Sequence, residues 1–523
     1  MKVVLTTAFL VFAAVAVAQS SIDDEALVLE GDLVTMGAQG ILPGGRLWIR
    51  NGRLQGVFES EAALSQAVDT SEVPRLKTDA WIFPGFINLH THLPYNHQPL
   101  WLSDKKFENR YQWQTYAPHA PSVELPKQIL YDRAAYNLGN EQTLFAEVRA
   151  LIGGTTALTS SAIPGYYTAP GRIVRNLEYE PPDSGRLEAH VSEVDEEFIR
   201  LRAGELREAL DSGELRAWVA HLAEGVDRRS RDEFERLKRA GLIRREVVIV
   251  HGTALDEEQL RHLGKVGGHL VWAPTSNYLL YGEMADVETA ARSGVTISLS
   301  NDWAPSGTPN LLAELKVAAA SYRRRYGVSL PPKTLVEMIT TNPAQAIGWD
   351  KRAGTLSTGA YADIVVVPRH KRLGPYETLI RATEEDIELV LVGGEPLYGR
   401  SDWMERFKPN DSETLVATGR EGADYVKRID VTHSRGDMTL TQARARLERA
   451  LSFDRATMLD GFLDTTGRPM TPEVLAQHLE ENYRGLTPQP LVPIFLSNDD
   501  DFFERLRRLQ FPFVSALARA YRP

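Results

Sequence analysis

The sequence predicts an α/β fold: a (β/α)8 TIM barrel with a flanking β-sandwich built from both sides of the barrel, plus a C-terminal, largely helical extension. Three observations lead there. Over residues 81–353, short apolar runs alternate with stretches of helical period, the pattern of parallel strands joined by helices. The polar candidates fall just past the ends of those runs, where such barrels carry their chemistry. The segments on either side, 26–80 and 354–400, are β-rich, and each is too small to bury a face alone, so they are expected to pair.

In chain order, residues 1–18 read as a signal peptide. Lys2 precedes an apolar run over 8–17, and Ala16-Val17-Ala18 fits the small-x-small cleavage rule. Export to the periplasm or secretion is the expectation, with no membrane association after cleavage. Residues 26–80 follow as short strands at 27–29, 34–36 and 46–49. Asn51-Gly52 then makes a hairpin turn, because both residues accept the positive φ of a type I′ turn. The return strand is 53–57.

The middle offers strands at 86–89, 156–160, 188–190, 216–220, 247–250, 269–273 and 296–299, with helices between them at 141–151, 192–210, 230–240, 256–263 and 310–325. A loop at 94–126, rich in Tyr, Trp, Pro and His, is expected to form a lid or a substrate wall. Strands at 364–367 and 387–392 supply the second half of the sandwich. Residues 401–523 are charged, with helices at 441–451, 472–483 and 500–509, and read as a packing or dimerising appendage.

Composition narrows the chemistry. The chain of 523 residues contains no cysteine, which excludes disulfides, Cys-ligated zinc, thiol catalysis and iron–sulfur clusters. A formal net charge of -11 disfavours nucleic acid as a partner, since no general basic field exists to gather phosphates.

The organising stretch is PGFINLHTHLPYN. Strand side chains repeat every two residues, so His90 and His92 point to one face and make half of a metal site. His221 ends the apolar run Trp218-Val219-Ala220, with Glu224 three residues on. His251 follows Val247-Val248-Ile249-Val250, and Asp302 follows the run at 297–301. From these, His90, His92, His221 and Asp302 give three imidazoles and one carboxylate, a set that suits one zinc with water completing the shell; iron or manganese tolerates it too. Asp302 can also accept the water proton, Glu224 is placed to shuttle it to a leaving nitrogen, and His251 to polarise a carbonyl or hold the water. Of the other histidines, His97 and His119 lie on the aromatic loop within reach of a substrate, His262 belongs to a solvated helix, and His269 is an ordinary strand residue.

The set PGFINLHTHLP, HLAE, VHGTALDEEQL, WAPTSNYLLYG and SNDWAPSG, closed by TTNPAQAIGWDKRAGTLSTGAYADIVVV, resembles the amidohydrolase superfamily, in particular its mononuclear cytosine/guanine deaminase-like and triazine hydrolase-like branches. The resemblance covers roughly residues 26–400. It implies that His90 and His92 match the first-strand ligands, His221 the fifth-strand histidine and Asp302 the eighth-strand aspartate. Glu224 then matches the proton shuttle and His251 the sixth-strand histidine that contacts water or substrate. No lysine ends the fourth candidate strand near 188–190, so one metal is expected rather than a bridged pair. The chain departs from such deaminases in its export signal, in its C-terminal segment and in Trp303, a bulky ring directly after the aspartate.

The resulting expectation is a metal-dependent hydrolase of a C–N bond other than a peptide bond in a small molecule, with deamination of a nitrogen heterocycle favoured and water as second substrate. The alternative is hydrolysis of a cyclic amide, an N-acyl amino acid or a dipeptide, for which Arg110, Tyr111, Trp113 and Tyr116 would grip a carboxylate. Trp303, Ser306, Asn277, Tyr95 and Trp113 are the candidate substrate contacts. Related barrels are often dimers, so a homodimer is compatible with the reading.

Overall fold

The computed structural model describes residues 26–132, 135–160, 173–179, 185–190, 194–408, 410–434, 438–453 and 467–522. The expected signal peptide at 1–18 lies outside the described residues.

Among the described residues, eight parallel strands build the barrel: β5 (Phe86–Asn88), β6 (Thr155–Leu158), β7 (Arg175–Asn176), β8 (Arg186–His190), β9 (Leu215–Leu222), β10 (Val247–His251), β11 (His269–Trp272) and β12 (Thr296–Leu299). They lie in two arcs, β5-β6-β7 and β8-β9-β10-β11-β12. A parallel bridge between Thr91 and Asp302 ties the end of the first strand to the end of the last. Helices cover the outside, so every residue of β10, VVIVH, is buried; strands covered on both faces read as continuous apolar runs rather than alternating ones. Strand β7 has two residues and gave no run to recognise.

The second sheet has nine strands in the order β16-β17-β15-β14-β13-β4-β1-β2-β3. Its first part comprises β1 (Ala26–Val34), β2 (Ile41–Arg50), β3 (Arg53–Phe58) and β4 (Arg75–Pro84); its second comprises β13 (Ile364–Val367), β14 (Leu389–Val392) and β15 (Glu395–Arg400). Asn51 and Gly52 take φ of 52° and 71° in the turn between β2 and β3. The junction is antiparallel pairing of β13 with β4, with Val365 opposite Phe83. Arg53 also bridges Tyr361, so the sheet curls over a core that includes Leu29, Ile82, Ile364 and Leu391. Gly85 is the joint between this sheet and the barrel: a Cβ there would stand 2.1 Å from Thr156 Oγ1.

Two features differ from the sequence reading. Strand β4 was not anticipated, although it lies at the centre of the nine-stranded sheet. The sheet also runs past residue 400 into a hairpin, β16 (Ser412–Thr418) and β17 (Asp424–Asp430). Leu415 and Ala417 of β16 face inward while Val416 and Thr418 face out, a half-buried alternation that the surrounding charge disguised. Beyond it the chain is helical at Leu440–Leu451, Pro472–Asn482, Asp500–Arg508 and Val514–Tyr521.

That C-terminal part packs on the aromatic loop. Tyr483 hydroxyl donates to Asp132 (2.5 Å), Gln489 Nε2 to the Ser122 carbonyl (2.6 Å), the Val492 N–H to the His97 carbonyl (3.3 Å) and Arg505 to the Leu100 carbonyl (2.8 Å). Phe502, Phe503 and Leu506 bury their rings and branches against Leu100 and Leu279.

Candidate metal centre

The ends of β5, β9, β10 and β12 bring five ligand-type side chains together. His90 Nε2 lies 2.8 Å and His92 Nε2 3.5 Å from Asp302 Oδ1. The ring of His90 is 4.5 Å from that of His221 and 5.1 Å from that of His251, centroid to centroid. Two overlapping groups, His90 with His221 and His251, and His90 with His92 and Asp302, have ligand atoms within 4.8 Å of one another. Burial holds the imidazoles of His90, His92 and His251 down at about 3, and that of His221 well below its ordinary value. Neutral imidazoles with a carboxylate form a donor set that fits a divalent cation. Buried His90 Nδ1 has no hydrogen-bond partner among the described residues, while its Nε2 faces Asp302.

The backbone is bent to present these groups. His251 has φ of 68° and Asp302 of 58°, a left-handed conformation that side chains other than glycine rarely adopt. Such conformations persist where the surroundings over-determine them, and they cluster at functional positions. Thr91 Oγ1 donates to the Asp302 carbonyl (2.7 Å) and Asn88 Nδ2 to Asn301 Oδ1 (2.6 Å), so the first strand holds the eighth. Asn96 continues the clamp, donating to Thr91 Oγ1 and accepting from the Ala304 N–H.

Glu224 stands beside the cluster. Its Oε1 accepts from the Tyr281 hydroxyl (2.6 Å), and its Oε2 lies 3.8 Å from His251 Nε2 and 4.0 Å from Arg110 Nη1. Burial pushes this carboxyl up to about 7, against the opposing pull of Arg110 and Tyr281. Behind it, Glu233 accepts from the Ala223 N–H (2.7 Å) and from the Tyr111 hydroxyl, pinning the positive-φ Ala223.

A pocket of about 180 Å³ opens over the cluster. Tyr95, Trp113 and Trp303 give it aromatic walls, and Trp303 stands 4.9 Å from Tyr95 and 5.5 Å from Trp113 between ring centroids. Glu124 and Lys127 line it too; Lys127 Nζ donates to Glu124 Oε2 (2.8 Å) and Tyr95 OH (2.7 Å). Sequence reading missed both: Glu124 ends the helical turn Ala120–Glu124 and Lys127 lies on the short helix Leu125–Tyr131, segments too short to show a period. Tyr281 was also missed, although it is the next-to-last residue of the WAPTSNYLLYG motif.

Two expected substrate contacts lie behind the wall. Ser306 is buried and pairs its Oγ with Ser276 Oγ (2.8 Å) and Trp303 Nε1 (2.5 Å). It therefore orients the Trp303 ring and is absent from the pocket lining. Asn277 is buried with its side-chain nitrogen 3.0 Å from His251 Nδ1, so it supports the histidine from the far side. His97 and His119 are buried away from the pocket lining as well; His119 packs between Trp101 and Trp113. His262 is half-buried, and His269 is a buried residue of β11.

Residues 210–397 match the sequence profile of the Amidohydrolase family. A 5-methylthioadenosine/S-adenosylhomocysteine deaminase of Syntrophobacter fumaroxidans is 32% identical over 163 residues, which are 29% of this chain and 37% of that protein. The enzyme of that name from Caldicellulosiruptor saccharolyticus is 23% identical over 411 residues, 71% of this chain and 92% of its own. Among solved structures, an adenosine deaminase from Xanthomonas campestris with bound zinc superposes with a TM-score of 0.56 at 19% identity, covering 71% of this chain and 92% of that one. That likeness supports the barrel and its flanking sheet. Residues 210–397 carry the amidohydrolase family match, and the chain folds as a (β/α)8 barrel beside a β-sheet drawn from both of its flanks.

Proposed function

We propose that this protein is a metal-dependent hydrolase that removes an amino group from a small nitrogen heterocycle. The observation that carries the reading is Glu224: a buried carboxyl held at about 7, beside a cluster of neutral imidazoles, under a pocket with aromatic walls. A group with that range is suited to take and return a proton near neutral pH.

His90, His92, His221 and Asp302 would hold one zinc, with iron or manganese as substitutes, and a bound metal would supply a Lewis acid that brings the pKa of water towards neutrality. Each side chain of the pocket then has a separate task. Glu224 receives the proton of the attacking water and returns it to the departing nitrogen, which cannot leave as an amide anion. His251, steadied by Asn277, turns its Nε2 toward the reacting centre and holds the water or the developing oxyanion. Trp303, Tyr95 and Trp113 stack on or flank a flat ring and keep bulk water out. The pocket falls below the roughly 300 Å³ at which sites for drug-sized ligands begin, so a compact one- or two-ring substrate fits best.

The alternative of a dipeptide or N-acyl amino acid needs a cation free to meet a carboxylate. Lys127 is paired with Glu124, and Arg110 stands near Glu224, so neither cation of the pocket is spare. Export to the periplasm or beyond is part of the same proposal, supported by the Lys2, apolar-run and Ala16-Val17-Ala18 pattern.

The test is metal content together with ammonia release over a panel of purines, pyrimidines, triazines, N-acyl amino acids and dipeptides. About one metal per chain and ammonia from a heterocycle is the expected result. Two metals per chain, or amino acid release without ammonia, would move the enzyme to the amide and dipeptide hydrolases.

A further inference from the structure

Glu224 is aimed by two donors that the reaction scheme leaves unused. The Trp113 indole N–H donates to the Tyr281 oxygen (2.8 Å), and the Tyr281 hydroxyl donates to Glu224 Oε1 (2.6 Å). The direction of this chain is fixed by chemistry. An indole nitrogen only donates, so the tyrosine oxygen must accept from it, and the single hydroxyl proton is left for the carboxylate. All three side chains are buried. With Oε1 already taken by a donor, a proton on Glu224 has to sit on Oε2, the oxygen that faces His251 and Arg110.

The two donors come from different parts of the fold. Tyr281 is the last residue of the helix Pro274–Tyr281, which Gly282 stops with φ of 76°. It does not line the pocket. Trp113 belongs to the short helix Arg110–Gln114 of the aromatic loop, and its ring is part of the pocket wall. One face of the indole therefore meets the pocket while its N–H reaches the proton carrier through one hydroxyl.

We infer that Tyr281 is a positioning residue that confines the transferable proton of Glu224 to Oε2, and that Trp113 ties this alignment to the pocket wall. The inference rests on the reading of Glu224 as the proton carrier.

Tyr281→Phe keeps the ring and removes the donor. Its kcat should fall about tenfold to a hundredfold, the loss of one hydrogen bond to a charged group, with KM changed by no more than about twofold and metal content unchanged. Trp113→Phe should lower kcat and raise KM, but in the Tyr281→Phe background it should cost no further kcat, because the path is already cut. A KM effect without a kcat effect, or kcat losses that multiply in the double variant, would overturn the inference. The Trp113 indole N–H resonance, identified by its disappearance in Trp113→Phe, gives a second readout in the resting protein. It should move in Tyr281→Phe and in Glu224→Gln. If no heterocycle yields ammonia, the proposed function fails on that screen, while an unmoved resonance separately refutes the hydrogen-bond chain.

Discussion

Glu224→Gln separates the chemical role of this carboxyl from its structural one. Glutamine has the same shape, its carbonyl can take the place of Oε1 under the Tyr281 hydroxyl, and its amide nitrogen replaces Oε2. The variant should fold and bind metal but carry no proton. Loss of a general acid–base group costs about a hundredfold to ten-thousandfold in kcat. Stability should move in the opposite direction. Glu224 is fully buried, and its range rises from the ordinary 4.5 to about 7. Between those limits the native state binds a proton that the unfolded state has released, so stability falls as pH rises from about 4.5 to about 7 and then levels off. At 1.36 kcal/mol per pH unit, the native protein forgoes roughly 3 kcal/mol above pH 7. Glutamine is spared that loss but accepts the Tyr281 proton less strongly, by about 1 kcal/mol. The metal-free variant should therefore be more stable than the metal-free parent by about 2 kcal/mol at pH 8. That advantage should have gone at pH 4.5. Urea unfolding of both proteins across this range, with ammonia release at pH 7, makes the measurement. Parallel stability curves would refute the buried-charge argument, and a kcat within about tenfold of the parent would refute the proton-carrier role.

Further outcomes follow from the same geometry. His90→Ala should lose most bound metal, measured by elemental analysis, because His90 belongs to both ligand groups; retention of about one metal per chain would contradict its role. Removal of metal with a chelator should abolish ammonia release and lower Tm, and zinc, iron or manganese should restore both; activity that survives chelation would dismiss the metal. Trp303→Ala removes one aromatic wall and should raise KM by about tenfold to a hundredfold, the worth of burying one ring, with a smaller change in kcat. Ser306→Ala frees the Trp303 indole from its hydroxyl partner and should raise KM only severalfold; an effect as large as that of Trp303→Ala would mean that Ser306 itself meets the substrate.

Where the sequence was readable, backbone geometry had left a regular trace. His90 and His92 lie two and four residues past the end of β5, and the two-residue repeat read for extended chain still led to two side chains that the structure brings to the cluster, while His251 is flagged by four apolar residues buried on both sides. Asp302 is similar, lying three residues beyond β12. The pocket wall left no such trace. Glu124 and Lys127 reach the pocket from two short helical segments, Ala120–Glu124 and Leu125–Tyr131, too short to show a period, and their mutual pairing looks, in sequence, like an ordinary charged turn. Ser306 and Asn277 show the opposite error: their nearness to key residues is real, but both point away from the opening and serve Trp303 and His251. Strand β7 was too short to carry a pattern, and the β16–β17 hairpin showed its alternation among charges that resembled helix surface.

The bonds from the C-terminal part to the stretch 100–132 join residues 351 to 405 positions apart: Tyr483 to Asp132, Gln489 to Ser122 and Arg505 to Leu100. Contacts of such long sequence separation are slow to form, because the chain between their ends must be ordered first. During synthesis the ribosome delivers all five clustered side chains, from His90 to Asp302, well before Tyr483 emerges. A nascent chain halted between them would therefore hold its ligands but only a slack wall. Pulse-labelled hydrogen exchange during refolding should find protection at β9 and β10 before protection at residues 97–122.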